Sequence, residues 1–168
     1  MNDINGDIII GETTNFDSWH GVFVKLFGCG VLLIGISGVG KSETALELVI
    51  RGHALIADDL VEVIAVEGNN EKELIGRAPE NLRNYLESRG VGVINVPQLY
   101  GTRSVQKSSK IDLLIELMDE AHSENMEIEK EVIKIMGIEI EKYRVVVSSG
   151  RSCANVVETI VMSYIKEN

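Results

Sequence analysis

A glycine-rich octapeptide between two apolar segments has the residue types needed to hold a chain of phosphates. It matches the pattern G-x-x-x-x-G-K-S, in which backbone amides surround the phosphates, the lysine reaches the terminal ones and the serine hydroxyl coordinates Mg²⁺. A helix that begins at this loop adds a dipole that favours an anion. We therefore predict a site for a nucleoside triphosphate and Mg²⁺, although the loop does not identify the phosphate acceptor. The eight residues are Gly35, Ile36, Ser37, Gly38, Val39, Gly40, Lys41 and Ser42.

Two adjacent aspartates, Asp58 and Asp59, follow the apolar segment Ala54 to Ala57. If that segment is a strand, both carboxylates emerge at its end, where doubly wound sheets bind ligands. One carboxylate is then suited to hold Mg²⁺, and its neighbour to accept a proton from an acceptor hydroxyl. Adjacent carboxylates also titrate apart, which favours acid–base chemistry by one of them. The alternative is that the pair only caps a turn.

The segment from Glu87 to Asn95 brings a carboxylate, an arginine and two glycines close together. We interpret it as a second site segment, with Glu87 near the metal and Arg89 near phosphate. The alternative is a helix C-cap with an exposed ion pair. His20 follows the single tryptophan, and by its position alone it is more often a structural or surface histidine than a catalytic one.

The hydrophobic pattern alternates between strand and helix around the glycine-rich loop. Val31 to Ile34 is a continuous apolar run, typical of a strand buried on both faces. Glu43 to Arg51 has helical periodicity, with Gly52 where a C-cap is expected. His53 to Ala57 has a strand pattern again. The alternation predicts an α/β fold, and 168 residues are enough for one compact domain.

The other segments give a less complete prediction. Residues 111–118 fit either a strand or a helix, and the charged segment 120–134 fits a solvated loop or a helix. The two cysteines, Cys29 and Cys153, are expected to be small core residues. Strands are predicted over 7–11, 19–27, 61–66, 91–96 and 144–147, a helix from Pro79 to Gly90, and a C-terminal amphipathic helix with the stripe Cys153, Val156, Val157, Ile160, Val161 and Tyr164.

The overall charge limits the classes of partner. Acidic residues outnumber basic ones by 26 to 16, for a formal net charge of −10. Nucleic acids and anionic membranes are therefore not expected as partners, because phosphate contacts on that scale require Lys and Arg. The first residues lack the pattern of a signal peptide, and no apolar run approaches the roughly 18 residues of a membrane span. These features predict a cytoplasmic protein.

Three blocks of the sequence, Gly35 to Asp59, Trp19 to Val22 and Glu87 to Asn95, occur together. In combination they resemble the HPr kinase/phosphorylase family, and Leu99 to Gly101 continues the similarity. The resemblance implies an α/β, P-loop nucleotide-binding domain with a mixed sheet, like the C-terminal catalytic domain of that family. It implies one such domain over residues 1–168, without the N-terminal domain that family members usually carry.

The resemblance also implies an activity. Members of the family use ATP or pyrophosphate to phosphorylate a serine of the phosphocarrier HPr, remove that phosphate by phosphorolysis, and typically form hexamers. By this similarity, Lys41 and Ser42 bind phosphate and Mg²⁺, and Glu87 is a second metal ligand. Asp59 takes the serine proton and returns it in the reverse reaction. The implied catalytic residues are Asp59, His20 and Lys41, and the implied metal ligands are Ser42, Asp58 and Glu87.

The late part of the chain departs from the family pattern. The Asp-Arg-Leu-Gly stretch, which supplies an active-site arginine, has no clear counterpart around residues 124–131. Gln106 and Ser148 stand where the family has basic residues, whereas Gly150 and Arg151 of the late Gly-Arg motif are present. Arg151 is therefore a further candidate site residue. Two alternatives to HPr phosphorylation therefore stay open: a kinase for a small metabolite on the same scaffold, and a non-catalytic module that senses nucleotides.

Overall fold

A computed structural model describes residues 15–123, 126–148 and 150–168. The predicted strand over 7–11 lies outside the described residues. Short 3₁₀ helices cover Glu80–Leu82, Thr102–Ser104 and Glu120–His122. In chain order the strands are β1 (Asp17–His20), β2 (Val22–Leu26), β3 (Cys29–Gly35), β4 (Ala54–Ala57), β5 (Leu60–Glu67), β6 (Lys72–Arg77), β7 (Tyr85–Ser88), β8 (Gly92–Asn95), β9 (Ser108–Lys110), β10 (Leu113–Asp119), β11 (Glu129–Ile135) and β12 (Ile138–Val147), and the α-helices are α1 (Lys41–Ile50), α2 (Val96–Tyr100) and α3 (Ala154–Glu167).

A mixed sheet of six strands, in the order β11-β12-β10-β3-β2-β4, forms the centre of the fold. Strand β10 runs parallel to both β3 and β12, whereas β2, β4 and β11 pair antiparallel with their neighbours. The three parallel strands therefore end at the same edge of the sheet. Strand β3 runs from that edge into the glycine-rich loop, which leads into α1. The mixed α/β architecture expected from the sequence is confirmed.

Both faces of this sheet are covered, which explains the continuous apolar runs in its strands. On one face, Val31 and Leu33 of β3 belong to the same hydrophobic cluster as Leu48 of α1 and Val157 of α3. On the other face, Leu32 belongs to a second cluster that includes residues of the four-stranded antiparallel sheet β1-β5-β6-β9. The molecule thus has three layers: two helices, the mixed sheet and the antiparallel sheet.

Most of the predicted elements are present. Helix α1 matches the periodic segment 43–51, and Gly52 follows it at a φ of 101°. The C-terminal helix is confirmed as α3, with Val157, Ile160 and Val161 buried. Residues 111–118 resolve as strand β10, and both cysteines are free and buried. The strand predicted over 19–27 is divided at Gly21 into β1 and β2, which belong to different sheets.

The helix predicted over 79–90 is wrong, and the segment 120–134, expected to be a loop or a helix, contains a strand instead. The segment 79–90 has a single 3₁₀ turn followed by β7, which pairs with β8. Asn84 interrupts the segment at a φ of 74°, and burial along β7 alternates with a period of two residues. The charged segment 120–134 contains a 3₁₀ turn and then the edge strand β11. Its acidic side chains form ion pairs with basic residues of β12, such as Glu131 with Lys142.

Within the described ranges, no helix is both long and apolar enough to cross a membrane.

Candidate functional site

The glycine-rich loop, residues 35–42, joins the end of β3 to the start of α1 at the carboxyl edge of the parallel strands. Gly35, Gly38 and Gly40 have φ values of 146°, 82° and 117°, a region that side-chain-bearing residues rarely adopt. Val39 is buried and anchors the loop, whereas Ile36 and Ser37 are exposed. The loop therefore presents its backbone to solvent over the first turn of α1.

The Lys41 side chain folds back onto this loop. Its Nζ donates hydrogen bonds to the carbonyl oxygens of Gly35 at 2.7 Å and Ile36 at 3.0 Å. Burial lowers the pKa of Lys41, and the nearby carboxylates of Asp58, Asp59 and Glu43 oppose that shift. The Lys41 amine thus lies against the glycine-rich loop. Its two carbonyl acceptors are neutral, so a multiply charged phosphate would replace them as the hydrogen-bond partner of the amine.

Asp58 lies beneath the loop, at the end of β4. Only 6% of it is exposed, and both of its carboxylate oxygens accept hydrogen bonds. Oδ1 accepts from the Ser42 hydroxyl at 2.8 Å, and Oδ2 accepts from the Glu87 amide at 2.9 Å. Burial raises the pKa of Asp58 and the charge of Asp59 adds to the shift, whereas the two hydrogen bonds lower it in part.

Asp59 has the opposite environment from its neighbour. It has a left-handed φ of 71°, its side chain is exposed, and its carbonyl oxygen accepts from the Gly21 amide at 3.1 Å. His20 pairs with Leu60 across β1 and β5, so it lies on the same side of the cleft as Asp59. Both side chains line a cleft of about 610 Å³ above the loop.

The hairpin formed by β7 and β8 lines the cleft with Glu87 and Arg89. The Arg89 guanidinium lies over the loop, since a Cβ added at Gly38 would be 2.7 Å from its Nη2. The Arg89 amide donates to Glu43 Oε1 at 3.4 Å. Glu43 and Ser88 also line the cleft, and neither was singled out from the sequence. The sequence signal for Glu43 is its position directly after the loop motif, in the first turn of α1.

The cleft brings together eleven of the fourteen residues singled out from the sequence. Ile36 and Val39 contribute to the loop without lining the cleft. Arg151 does not line it either: its carbonyl oxygen would be 2.4 Å from a Cβ at Gly40, and the residue lines a neighbouring cavity of about 310 Å³. The eleven are His20, Gly35, Ser37, Gly38, Gly40, Lys41, Ser42, Asp58, Asp59, Glu87 and Arg89.

The oxygen atoms at the base of the cleft are suited to a divalent cation. The Ser42 hydroxyl and the Asp58 carboxylate are in contact at 2.8 Å, and Glu87 lines the same cleft. Hydroxyl and carboxylate oxygens are the ligands that Mg²⁺ prefers. In the part of the chain that the structure describes, no group of three or more His, Cys, Asp or Glu side chains is arranged to hold a metal ion by itself.

These features define a mixed α/β protein in which a central strand leads into a loop of G-x-x-x-x-G-K-S sequence, beside paired aspartates. The family model for the HPr Serine kinase C-terminal domain matches residues 12–168, and the chain belongs to that family.

Relatives with established names agree with this assignment. The chain is 45% identical over 148 residues to the HPr kinase/phosphorylase of Caldanaerobacter subterraneus subsp. tengcongensis, covering 86% of this chain and 48% of that protein. It is 40% identical over 167 residues to the enzyme of the same name from Brevibacillus brevis, covering 93% of this chain and 53% of that protein. The chain thus spans about half the length of the curated relatives it matches.

A solved structure has the same fold. The Hpr(Ser) kinase/phosphatase from Coxiella burnetii superposes with a TM-score of 0.78 at 29% sequence identity, over 90% of this chain and 97% of that one. The mixed sheet and its few helices are therefore those of an HPr kinase structure.

Proposed function

We propose that this chain carries the catalytic site of an Mg²⁺-dependent phosphotransferase that moves the γ-phosphoryl group of ATP to a serine of HPr or an HPr-like protein. One observation carries the proposal: the cleft places Lys41, the Ser42–Asp58 pair and the exposed Asp59 around the glycine-rich loop. Membership of the HPr Serine kinase C-terminal domain family and the names of the relatives support the same activity.

The loop is suited to bind the phosphates of the donor. Its backbone amides and the first turn of α1 favour an anion, and Lys41 exchanges its two carbonyl acceptors for phosphate oxygens. Arg89, which lies over Gly38, adds a second cation at the loop. A local site of this kind binds an anion in spite of the formal net charge of −10.

Ser42, Asp58 and Glu87 are the residues that would hold Mg²⁺, with phosphate and water oxygens as the other ligands. When bound, the ion neutralises charge on the phosphates during transfer. Both oxygens of Asp58 already accept hydrogen bonds, so its carboxylate also orients the Ser42 hydroxyl and holds the strand that carries Glu87.

Asp59 is proposed as the base. It accepts the proton of the acceptor serine while the serine oxygen forms a bond to the γ-phosphorus, and the bond from that phosphorus to the bridging oxygen breaks to release ADP. Its side chain is exposed, so the carboxylate is accessible to a protein substrate. His20, on the same side of the cleft, is proposed as an additional active-site residue that contacts the phosphate or the acceptor.

The reverse reaction uses the same groups. An oxygen of inorganic phosphate forms a bond to the phosphorus of phosphoserine while the bond from that phosphorus to the serine oxygen breaks. Pyrophosphate is released, and Asp59 returns its proton to the serine oxygen. Pyrophosphate is by the same chemistry an alternative donor in the forward direction.

Transfer of ³²P from ATP to purified HPr tests the proposal, with wild-type protein compared with Asp59→Asn and Lys41→Ala. We expect Asp59→Asn to bind Mg²⁺-ATP normally and to lose about 10²- to 10⁴-fold in transfer rate, because the base is removed. Lys41→Ala should lose both binding and transfer. Asp17→Asn, an exposed aspartate on β1 outside the cleft, is the matched control and should behave as wild type.

Absence of transfer to HPr by a wild-type protein that binds ATP would refute the kinase activity. Turnover of ATP with a small metabolite, or none with any acceptor, would then identify the metabolite kinase or the nucleotide sensor instead. A cytoplasmic location stays a prediction from the sequence composition, and a hexamer stays a prediction from the family resemblance. Light scattering of the purified protein measures the oligomer.

A further inference from the structure

Thr44 has a fully buried hydroxyl in the first turn of α1 that contacts neither the cleft nor solvent. The hydroxyl donates to the carbonyl oxygen of Gly40 at 2.7 Å and accepts from the Cys153 amide at 3.1 Å. The Cys153 thiol sulfur lies 3.4 Å from the Thr44 hydroxyl oxygen. One donor and two acceptor positions are all that a threonine hydroxyl has, so this group is fully used.

The Thr44 hydroxyl connects two segments that are distant in the sequence. Gly40 belongs to the glycine-rich loop, and Cys153 is the N-cap residue of α3, more than a hundred positions away in the sequence. The turn 150–153 lies directly against the loop, since a Cβ at Gly40 would be 2.4 Å from the Arg151 carbonyl oxygen. Thr44 is thus a side chain that joins this turn to the backbone of the loop.

We propose that Thr44 is a positioning residue that keeps the glycine-rich loop in its phosphate-binding conformation by joining Gly40 to the turn 150–153. Gly40 has a φ of 117° and no side chain of its own, so its orientation depends on what its carbonyl oxygen contacts. If the loop samples other conformations, the apparent affinity for phosphate falls in proportion to the fraction that is competent to bind. This inference rests on the proposed function only in that the loop binds phosphate groups.

The substitution Thr44→Val keeps the shape and the backbone hydrogen bond from the Thr44 amide to Gly40, and removes only the hydroxyl. We expect the dissociation constant for Mg²⁺-ATP, measured by calorimetry, to rise about tenfold with the loss of the two hydroxyl bonds. KM for ATP should rise by the same factor, with kcat nearly unchanged, because the cleft side chains stay in place. Thr44→Ser, which retains the hydroxyl, should restore the affinity.

Thr159→Val is the matched control. The Thr159 hydroxyl makes the same bond to a carbonyl four residues earlier, that of Asn155 at 2.7 Å, but it lies on the exposed side of α3. Its removal should leave the affinity for Mg²⁺-ATP unchanged. Cys153→Ala, which removes the thiol but keeps the amide that donates to Thr44, should also retain most of the affinity.

Amide hydrogen exchange gives a readout that needs no activity. Exchange in peptides that cover 36–40 and 150–153 should become faster in Thr44→Val and stay unchanged in Thr159→Val. A Thr44→Val protein that melts at a lower temperature but has wild-type affinity and wild-type exchange in these peptides would reduce Thr44 to a core residue and overturn the proposal. Equal loss of affinity in Cys153→Ala would also overturn it. A wild-type protein that binds neither Mg²⁺-ATP nor pyrophosphate would instead refute the proposed function, and the exchange comparison would still decide the role of Thr44.

Discussion

At the scale of single residues, the paired aspartates have different environments that suit different roles. Asp58 is buried and both of its oxygens are hydrogen-bonded, whereas Asp59 is exposed in a left-handed conformation. A buried carboxylate that accepts two hydrogen bonds is held in place and orients its donors, and an exposed carboxylate is accessible to a substrate.

We predict that Asp58 makes the free energy of unfolding depend on pH with a defined sign. Because burial raises the pKa of Asp58 in the folded protein, the folded state binds its proton more tightly than the unfolded state does. The wild-type free energy of unfolding, relative to that of Asp58→Asn, should therefore fall as pH rises from the ordinary pKa of aspartate to the raised one, and be constant above it. Urea unfolding of both proteins at a series of pH values measures this difference. A difference that is independent of pH, or that grows with pH, would contradict the prediction.

The sequence predicts that both aspartates lie at a strand end, but not which of them is buried. The strand pattern of 54–57 places the pair after β4, as observed. Which of the two side chains is buried depends on the left-handed backbone at Asp59 and on the Leu60 amide, which donates a hydrogen bond to the Asp58 carbonyl oxygen at 2.9 Å. The contact from the Glu87 amide comes from a distant hairpin, and no local pattern contains it.

At the scale of elements, the connection from β3 through the loop to α1 depends on close backbone approach. Gly40 and Gly52 lie at the two ends of α1, with φ values of 117° and 101°. Among the residues that the structure describes, none has an atom within 4 Å of a Cβ at Gly52, whereas a Cβ at Gly40 would be 2.4 Å from the Arg151 carbonyl oxygen. The two glycines are thus matched in conformation and differ in packing.

We predict that Gly40→Ala is much more destabilising than Gly52→Ala. The left-handed conformation alone costs an alanine about 1 to 2 kcal/mol, which is the whole effect expected at Gly52. At Gly40 the turn 150–153 must also move, and we expect a total loss of about 3 kcal/mol or more in the free energy of unfolding. Urea unfolding without nucleotide measures both. Equal losses of unfolding free energy in the two variants would mean that the turn 150–153 moves away from the new methyl group without a free-energy penalty, and would contradict the prediction.

The elements that were predicted correctly are those in which several local signals agree. The buried strand β3, the loop motif, the periodicity of α1 and Gly52 all indicate the same unit, and the structure has it. The segment 79–90 was misassigned because Pro79 and Gly90 resemble helix boundaries, although the chain between them forms only one 3₁₀ turn and then pairs with β8. The charged strand β11 owes its place to pairing with β12, which is a tertiary contact that outweighs local propensity.

At the scale of the whole molecule, the mixed sheet separates two hydrophobic clusters and joins the helices to the antiparallel sheet. Phe23 of β2 is fully buried where the two sheets meet: a Cβ at Gly76 of β6 would be 2.5 Å from its ring, and one at Gly30 would be 2.9 Å from it. The candidate site depends on both sides, because β1 carries His20 and α1 begins at Lys41.

We predict that both layers unfold in one transition and that Phe23→Ala destabilises them together. The loss of a buried phenylalanine should lower the free energy of unfolding by about 3 to 5 kcal/mol, and the melting temperature by about 2 to 4 °C for each kcal/mol. Fluorescence of Trp19, the single tryptophan, follows the antiparallel sheet, and far-UV circular dichroism follows α1 and α3. The two melting curves should coincide in the wild type and shift by the same amount in Phe23→Ala. Phe16→Ala is the control: this residue is 45% exposed, and its substitution should change neither melting temperature by more than a few degrees. If the Trp19 transition alone moved to lower temperature, the antiparallel sheet would be a separate unit, and His20 would be lost from the cleft before the glycine-rich loop unfolds.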